Sequence, residues 1–568
     1  NMSNVNSKLS TASSHGLKSR KVGSLTVFFM IFCLCCGGGF GIAELIPESG
    51  PGLTIVMLCV LPFIWSTPMG LAASELGSAR PQEGGYYKWV QEALGEFWGF
   101  QSGWWRTVSI YIDNTLYVIL AAGYVGMMWD MSWAAETAMK VGMILLFTFI
   151  NLRGIKDVGV VSTIISLVVI FAFILVSICG FTNWSQNPLV PFTADGTIMG
   201  VSGIPFADWV YYIGMGIAIG MWLYSGYESI STEAEEIDNP QRVIPIDQAL
   251  AVPAIMAAYI VPTIASLGSM GEWDKWGTEA GDISFPKVLD TYWGYGFGVF
   301  FVFVAVLSNC SLYNTYIASG SRGFFALADD YLAPPILVKC DKKHGVPYVT
   351  VITVAVVNLI LCQFDFTSVI IIDMFLLVSS YVMIFISAMI LRKRIPTQEY
   401  KFRLPFKYKF FCIICTIPCL VAFIAFFING TDYFIGGMLG ITTGPIMYFI
   451  WKRRYGGLAK KDPEMFPVNP KTKLAVGDMR RVSFIFAVIG AMGLIAVPWL
   501  KWFEGGWGPD YYLETYGTGF LSDFEGMVNA IQIVAIVFIA ISIGSMLIAR
   551  IVEPKKLDLD KQNIKSLR

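Results

Sequence analysis

Fourteen stretches of this chain are each long and apolar enough to cross a bilayer, and that pattern restricts the fold more than any other feature. A spanning helix needs about 20 mostly apolar residues. The stretches run roughly over 24–47, 52–77, 99–128, 134–151, 158–182, 208–232, 247–270, 294–320, 347–364, 368–391, 409–429, 432–451, 482–500 and 528–549. In hydrocarbon every backbone N–H and C=O must find a partner within the protein, so only helices or closed barrels span. Barrel strands alternate in polarity and are half as long. The runs therefore predict an all-α polytopic membrane protein with about 14 transmembrane helices. Composition agrees: 55% of residues are hydrophobic and 14% charged, where a soluble domain carries about a quarter charged.

Lys and Arg accumulate on the cytoplasmic side of membrane proteins. With the N-terminus inside and strict alternation, about 35 of the 40 Lys and Arg fall on the inner side. Arg106 lies within a helix, and Lys140, Lys275, Lys287 and Lys501 fall outside. The densest inner loops are 392–409 and 452–481, and the bias holds to Lys555, Lys556, Lys561, Lys565 and Arg568. An even span count follows, with both termini cytoplasmic, in a plasma or bacterial inner membrane. The outer loops at 271–293 and 501–527 are acidic, and 501–527 alone is expected to have room for a short amphipathic helix. The first apolar run lacks a small-residue cleavage site after it, so no cleavable signal is expected.

Several function classes fall away. A net charge of −1 suggests no nucleic-acid partner. The two histidines, His15 and His344, sit in a tail and a basic loop, and most of the 11 cysteines lie inside apolar runs, where Cys acts as a small apolar residue. Cys412, Cys415 and Cys419 have ligand-like spacing but lie in one spanning run, so no metal site is expected. No Walker motif appears, so no nucleotide is expected either. The chain reads as a transporter rather than an enzyme, with no cofactor.

Two spans are interrupted. The first carries Gly37, Gly38, Gly39, Phe40 and Gly41, followed by Glu44. Each glycine costs about 1 kcal/mol in a helix interior relative to alanine. Small residues also pack membrane helices, but on one face at spaced positions, whereas this run covers every face, so unwinding is the better reading. The sixth span holds Tyr224, Ser225, Gly226, Tyr227 and Glu228 near mid-membrane. A buried charge there costs about 3 kcal/mol and marks a functional site by default, the plainer alternative being a structural carboxylate bonded to a neighbouring helix. The two breaks lie five helices apart, an odd offset that reverses the second copy. Interrupted segments at matching positions of two halves point to an inverted repeat with its site at the break. Half-helix N-termini suit a carboxylate, and unwound carbonyls and acidic side chains suit an ammonium. One site with both features suits an amino acid.

At these residues the chain resembles the amino acid–polyamine–organocation transporter superfamily. GGGFG (37–41) stands where that family has its helix 1 break. PQEGGYYKWVQEALGEFWGFQSGWW (81–105), NLRGIKDVG (151–159), YSGYESISTEAEEIDNPQRVIP (224–245), SGSRGFFALADDYLAPP (319–335) and RLPFK (403–407) are similar to its conserved links, in the right order. The stretch 81–125 looks most like the L-type amino acid and polyamine-uptake branches. IDNTLYV (112–118) is close to polyamine-uptake permeases, and Ser225-Gly226-Tyr227-Glu228 is closer to amino-acid permeases.

The resemblance covers about residues 20–455 and implies a five-plus-five inverted-repeat core with discontinuous helices 1 and 6. The organisation expected is a tail at 1–22, one repeat at 23–182, the second at 207–392, a pair of spans at 408–451, an additional pair at 482–549 and a tail at 550–568. Family members typically have 12 spans, so the last pair is a departure.

The resemblance places substrate carboxylate binding at the N–H groups of Gly37, Gly38 and Gly39, with Phe40 and Gly41 beside them. Ser225 and Gly226 present the opposite break, and Tyr224 or Tyr227 forms a gate or pocket wall beside Glu228. Arg106 and Asp113 are seven residues apart on one helix face, about 10 Å along the axis. The plainer reading is that Arg106 snorkels to the inner surface, leaving Asp113 to find another partner, a proton or a cation. Glu75 is expected in a cytoplasmic gate network. Ser308, Asn309, Ser311 and Asn314 can contact substrate or sodium, or serve helix-to-helix bonding, and Asp373 is similarly open. Glu233, Glu235, Glu236 and Asp238 read as a solvated inner face with gate ion pairs to Arg242. Glu44 lies near the outer mouth.

The function expected is secondary active transport or exchange of an amino acid by alternating access. Polyamine uptake is the nearest alternative, favoured by Glu228, Glu44 and Asp113, and a nutrient receptor keeping the fold is a remoter one. The partners expected are an amine-bearing solute and the lipid bilayer. A proton is the coupling ion favoured, with sodium less so.

Overall fold

A computed structural model describes residues 21–36, 41–195, 205–277, 282–364 and 366–552. The regular elements among the described residues are helices, with three isolated β-bridges as the only strand pairing among them. In chain order the helices are α1 (Ser24–Cys35), α2 (Ile42–Ser49), α3 (Pro51–Ala79), α4 (Gly85–Leu94), α5 (Glu96–Met128), α6 (Trp133–Leu152), α7 (Ile155–Thr182), α8 (Phe206–Leu223) and α9 (Pro240–Ser269). They continue with α10 (Phe285–Trp293), α11 (Tyr295–Asp329), α12 (Tyr348–Leu361), α13 (Phe366–Arg394), α14 (Tyr408–Ile428), α15 (Thr431–Tyr455), α16 (Asp478–Phe503), α17 (Gly508–Tyr516) and α18 (Phe524–Val552).

Eleven helices among the described residues are long and apolar enough to cross a membrane. The other three predicted spans map to the interrupted pair α1 and α2, to α8 with the residues that follow it, and to α12. At 14 residues, α12 is shorter than the predicted run. It rises about 21 Å, less than the roughly 30 Å hydrocarbon core. Leu, Ile, Val and Phe side chains of α7, α14, α16 and α18 point outward in large numbers, among them Phe171, Ile174, Leu420, Phe423, Ile533 and Ile536. That surface suits lipid, and the chain is an integral membrane protein.

Span six breaks where the sequence predicts. α8 ends at Leu223, Tyr224 to Glu228 leave the α-helical path, and a 3₁₀ turn runs over Ser229–Glu236. Gly226 has φ +115°, and a Cβ there would sit 2.3 Å from the Leu34 carbonyl oxygen, so only glycine fits this close approach. In span one, α1 ends at Cys35 and α2 begins at Ile42. Gly37, Gly38, Gly39 and Phe40 lie outside the described residues.

One expectation about loops needs correction. The 501–527 loop does carry a short helix, α17, but the 271–293 loop carries another, α10. Pro286 at its first turn presets the backbone, and Phe285, Val288 and Leu289 bury one face at helical spacing. The spacing of three apolar residues was too short a signal to stand out from loop sequence.

The pair that ends the chain, α16 and α18, forms an antiparallel hairpin. Gly490 and Gly493 of α16 let α18 approach closely: a Cβ at Gly493 would lie 2.8 Å from Ala535 Cβ. Ser483 and Ser542 face each other, and each hydroxyl reaches the other residue's carbonyl at 2.8 Å. Small residues plus one polar pair are what helix association in lipid rewards, since hydrophobic burial drives nothing there. The hairpin packs against α15, where Met438 fills the space beside Gly493.

Candidate functional site at the two helix breaks

The ends of α1 and α8 meet in the middle of the molecule. Tyr259 of α9 donates its hydroxyl to the carbonyls of both Cys35 (2.8 Å) and Leu223 (3.2 Å). Tyr316 of α11 donates to Leu34 O at 2.8 Å. These are last-turn carbonyls that a helix leaves without partners of its own, and tyrosines from α9 and α11 take them up. Two helix C-termini thus converge, each carrying partial negative charge. Gly41, just before α2, packs against Ile219, Trp222 and Leu223 of α8, so the outer half of span one crosses the same point.

A small cavity of about 20 Å³ lies at this meeting point, with Leu34, Cys35, Tyr117, Trp222, Ser225 and Asn309 among its walls. That volume holds about one water. A solute as large as an amino acid therefore requires the surrounding helices to part. Asn309 of α11 donates to Ala305 O, and its Oδ1 is buried with no hydrogen-bond partner among the described residues.

Arg106 does not reach the inner surface. It is fully buried, and Nε donates to Glu228 Oε1 at 2.5 Å while Nη2 donates to Ser229 Oγ at 3.0 Å. The snorkelling reading fails because the break in span six places an anion within reach, and an ion pair removes the need to find water. Tyr381 of α13 donates to Glu228 Oε2 and accepts from Gly226 N at 2.6 Å. Its ring stacks on Trp65 at 5.3 Å, and Trp65 Nε1 donates to Ser225 Oγ at 3.2 Å. Trp65 belongs to a one-turn π segment of α3 at Pro62–Ser66, a helix irregularity frequent at functional sites. Glu228 is thus a structural anchor of the break as well as a member of it.

Asp113 lies two turns beyond Arg106 on α5. Its oxygens accept from Tyr117 OH (2.8 Å) and Trp222 Nε1 (3.0 Å). Between the two, Ser109 of α5 joins Arg106 to Asp373 of α13: Arg106 Nη1 donates to Ser109 Oγ at 3.3 Å, and that hydroxyl donates to Asp373 Oδ1 at 2.5 Å.

The predicted polar stretch of α11 divides. Asn309 lines the cavity. Ser311 instead bonds Cys33 Sγ at 2.8 Å, and Asn314 accepts from Asn151 Nδ2 and donates to Val158 O, tying α11 to α1, α6 and α7. Ser308 is buried beside Asn309. Tyr224 and Tyr227 are fully buried, but the tyrosines on the cavity wall are Tyr117 and Tyr259; Tyr224 donates to Leu58 O instead. Glu44 is half-buried in α2. Near it, Glu48 accepts from Tyr211 of α8.

At the basic end the two halves are tied by buried ion pairs. Glu75 accepts from Arg392 and from Leu404 N, while Arg392 also donates to Leu404 O and Phe406 O. Glu236 takes Arg322 of α11 on both oxygens. This corrects the solvated face expected for Glu233 and Glu236: both are buried, and Glu236 pairs with Arg322, not Arg242. Sequence proximity favoured Arg242, but the 3₁₀ turn directs the carboxylate across to α11. Val22 N donates to Glu236 O and Asp238 N to Val22 O, which pins the start of α1 to the same turn. Asp330, just past α11, binds Lys88 and Lys461. Burial works to raise its carboxyl, yet the two ammonium groups win and hold it well below the usual carboxylate range.

The amino acid permease family matches residues 22–451. The chain belongs to that family. Among curated relatives, this permease is 28% identical over 404 residues to the polyamine transporter RMV1 of Arabidopsis thaliana, covering 71% of this chain and 79% of that one. It is 24% identical over 460 or so residues to the serine/threonine exchanger SteT of Bacillus subtilis, covering 78% and 98%. Among solved structures, MhsT in complex with L-phenylalanine superposes with a TM-score of 0.55 at 12% identity, covering 72% of this permease and all of that chain. The fold is shared at that identity. The family match stops before α16, so the terminal hairpin lies outside the matched residues.

Tyr381, Trp65, Tyr316, Tyr259 and Ser109 escaped the sequence reading. In a chain with 15% aromatic residues, no local pattern distinguishes a tyrosine that caps a helix end from one that packs. Pro62 beginning the π segment was the one available signal, for Trp65.

Proposed function

We propose that this permease is a secondary transporter of amino acids, working as a symporter or exchanger by alternating access about the two helix breaks. The observation that carries the reading is the convergence of the α1 and α8 C-termini on a cavity that also holds Ser225 and the unpaired Asn309 Oδ1. Helix C-termini and free oxygens suit an ammonium. The N-terminus of α2, beginning at Ile42 after Gly41, which packs on Trp222, supplies the opposite polarity for a carboxylate. Both ends of a zwitterion are then met. The ion pairs Glu75–Arg392 and Glu236–Arg322 act as the gate on the basic side, which we take as cytoplasmic along with both termini. A proton is the coupling ion we favour, with Asp113 or Asp373 as its carrier if exchange alone does not drive uptake.

Polyamine uptake is the second reading. Two observations favour it. The junction holds three buried carboxylates (Asp113, Glu228 and Asp373) against one cation, Arg106. RMV1 is a named polyamine transporter. Counterflow in proteoliposomes separates the readings. Neutral amino acids such as serine or leucine should exchange across the membrane, with putrescine competing weakly. Uptake of putrescine with no amino acid exchange would transfer the proposal to the second reading, and absence of any counterflow would end both.

A further inference from the structure

Three cations at the basic end of α15 stand without a carboxylate among the described residues. Arg453 and Arg454 lie in the last turn of that helix, and Lys473 stands on the loop leading into α16. Their neighbours are paired: Lys452 with Glu96, Lys461 with Asp329 and Asp330, and Arg481 with Asp478. Arg453, Arg454 and Lys473 are exposed and border one open cleft of about 380 Å³, whose other walls are Phe449 and Ile450 of α15. No acidic residue among the described ones borders it.

The cleft joins two kinds of surface. Leu439, Ile446, Phe449, Ile450 and Arg453 recur at helical spacing and share one face of α15. The four apolar members are 38% to 51% exposed, as side chains facing lipid are. This apolar stripe runs directly into Arg453, whose guanidinium lies 5.0 Å over the Phe449 ring, while that of Arg454 lies 5.6 Å over Tyr455. Aromatic faces attract such cations and help to place them. Lys473 is placed by a bonded turn. Its φ of +58° is a left-handed conformation uncommon for a residue with a side chain, and its N–H donates to Asn469 O at 2.8 Å. Asn469 Oδ1 accepts from Lys471 N at 2.8 Å, and Nδ2 donates to Val552 O at the end of α18 at 3.0 Å. The terminal hairpin thus ties down the loop that completes the cleft.

Plainer explanations cover part of this arrangement. Cations in a last helix turn offset the helix dipole, and inner loops of membrane proteins collect Lys and Arg. Neither requires a loop lysine to meet two arginines around an apolar floor. The chain after Val552 carries more Lys and Arg than Asp and Glu, so it adds to the positive charge instead of answering it. A free phosphate would gain nothing from Phe449 and Ile450. A phospholipid matches both surfaces: its phosphate oxygens accept from guanidinium and ammonium groups, and its acyl chains continue along the stripe.

We propose that Arg453, Arg454 and Lys473 bind the headgroup of an anionic phospholipid whose acyl chains lie along Ile446, Phe449 and Ile450. Three cations favour a headgroup with two phosphates over a headgroup with one. The site lies apart from the junction of the broken helices and holds whatever solute the permease carries. Basic pockets at the cytoplasmic ends of membrane helices recognise such headgroups through the same pairing of charge with an apolar wall.

The test is native mass spectrometry of the full chain in detergent, titrated with cardiolipin or with phosphatidylcholine. Each Lys or Arg beside an anionic headgroup is worth about fivefold in binding. Cardiolipin should therefore bind on the order of 100-fold tighter than phosphatidylcholine. Arg453→Gln with Arg454→Gln should lower that ratio about 25-fold, and Lys473→Gln about fivefold. Lys471→Gln removes an equally exposed cation that does not border the cleft, and should leave the ratio within about twofold of the parent value. The ratio is internal to each protein, so a variant that folds poorly loses both lipids together and stays readable. Equal affinity for the two lipids in the parent protein overturns the inference. Equal losses in Lys471→Gln and Lys473→Gln overturn it too, because they mark diffuse charge and not a site. Displacement of cardiolipin by inorganic pyrophosphate would assign the cleft to a soluble phosphate and likewise end the lipid reading.

Discussion

The junction of the broken helices and the terminal hairpin α16–α18 solve the same problem, holding helices together in lipid, in opposite ways. At the junction, Arg106, Glu228, Ser229, Ser109, Asp373 and Tyr381 form a continuous chain of hydrogen bonds drawn from α5, α13 and the span-six break. At the hairpin, Gly490, Gly493 and Ala535 bring two backbones together with one serine pair for polarity. Directional bonds to unwound backbone can be exchanged for bonds to a solute, so the first arrangement can have two states. Interlocked small residues have one good fit and no ready alternative. The contrast leads us to expect movement at the junction and a fixed terminal hairpin. The loop at one end of it nevertheless reaches the broken helices: Trp507 packs on Tyr211 of α8 at 5.0 Å, and Tyr211 in turn donates to Glu48 of α2.

The sharpest way to break this comparison is at the buried ion pair. Arg106→Ala leaves Glu228 charged and alone, which should cost about 3–5 kcal/mol and appear as a large fall in the detergent unfolding temperature. Removing both partners in Arg106→Met with Glu228→Met should cost less than the sum of the single changes. A purely additive result would mean that the pair does not hold the break.

The next effect tests the hairpin's outer end. Glu504 accepts from Tyr512 OH at 2.7 Å and from Thr431 Oγ1 at 2.8 Å, with Oε1 left without a partner among the described residues. Burial pushes its carboxyl up from 4.5 to about 7. A raised acid is held protonated by the fold, so the folded state binds more protons than the unfolded chain between those two values. Stability should therefore be greatest below pH 4.5 and fall as pH rises through 7, by on the order of 2–3 kcal/mol. Glu504→Gln should flatten that slope in thermal unfolding measured from pH 4.5 to 8, and a slope unchanged by the substitution would remove Glu504 as its cause.

Smaller effects sharpen the comparison. Gly493→Leu overpacks the hairpin against Ala535 and Met438 and should cost about 1–3 kcal/mol, with the substrate preference of the transporter unaltered. Tyr381→Phe leaves Gly226 N–H and Glu228 each short of a partner and should cost a similar 1–3 kcal/mol, but here counterflow should slow as well. If the two variants behave alike in counterflow, the division between a moving junction and a fixed hairpin is wrong. Ser483→Ala removes one interhelical pair in lipid and should cost only about 0.6 kcal/mol, measurable as a small unfolding shift.

Much of this was legible without coordinates. The apolar runs located the spans, and the glycines at 37–41 with Ser225-Gly226 marked both interruptions. Glu75 reads as a gate residue from its place at the end of a span; in the structure it is buried at the basic end and paired with Arg392. The destination of Arg106 was not legible. Its partner lies 122 residues away, and nothing in either local sequence names the other. Glu236 was misread for the same reason, since its neighbour in sequence, Arg242, is not its neighbour in space.

By itself the sequence determined where the apolar helices lie, where the sixth span stops, and which end is basic, because lipid demands local backbone pairing and each of those properties is written within about 20 residues. Only the tertiary structure decided which charge meets which, that Tyr259 and Tyr316 take up the open helix ends, and that Asp113 and Asp373 have no ion-pair partner among the described residues. Those outcomes depend on helices distant in the chain arriving at one point, and burial there makes each pairing costly to leave unmade.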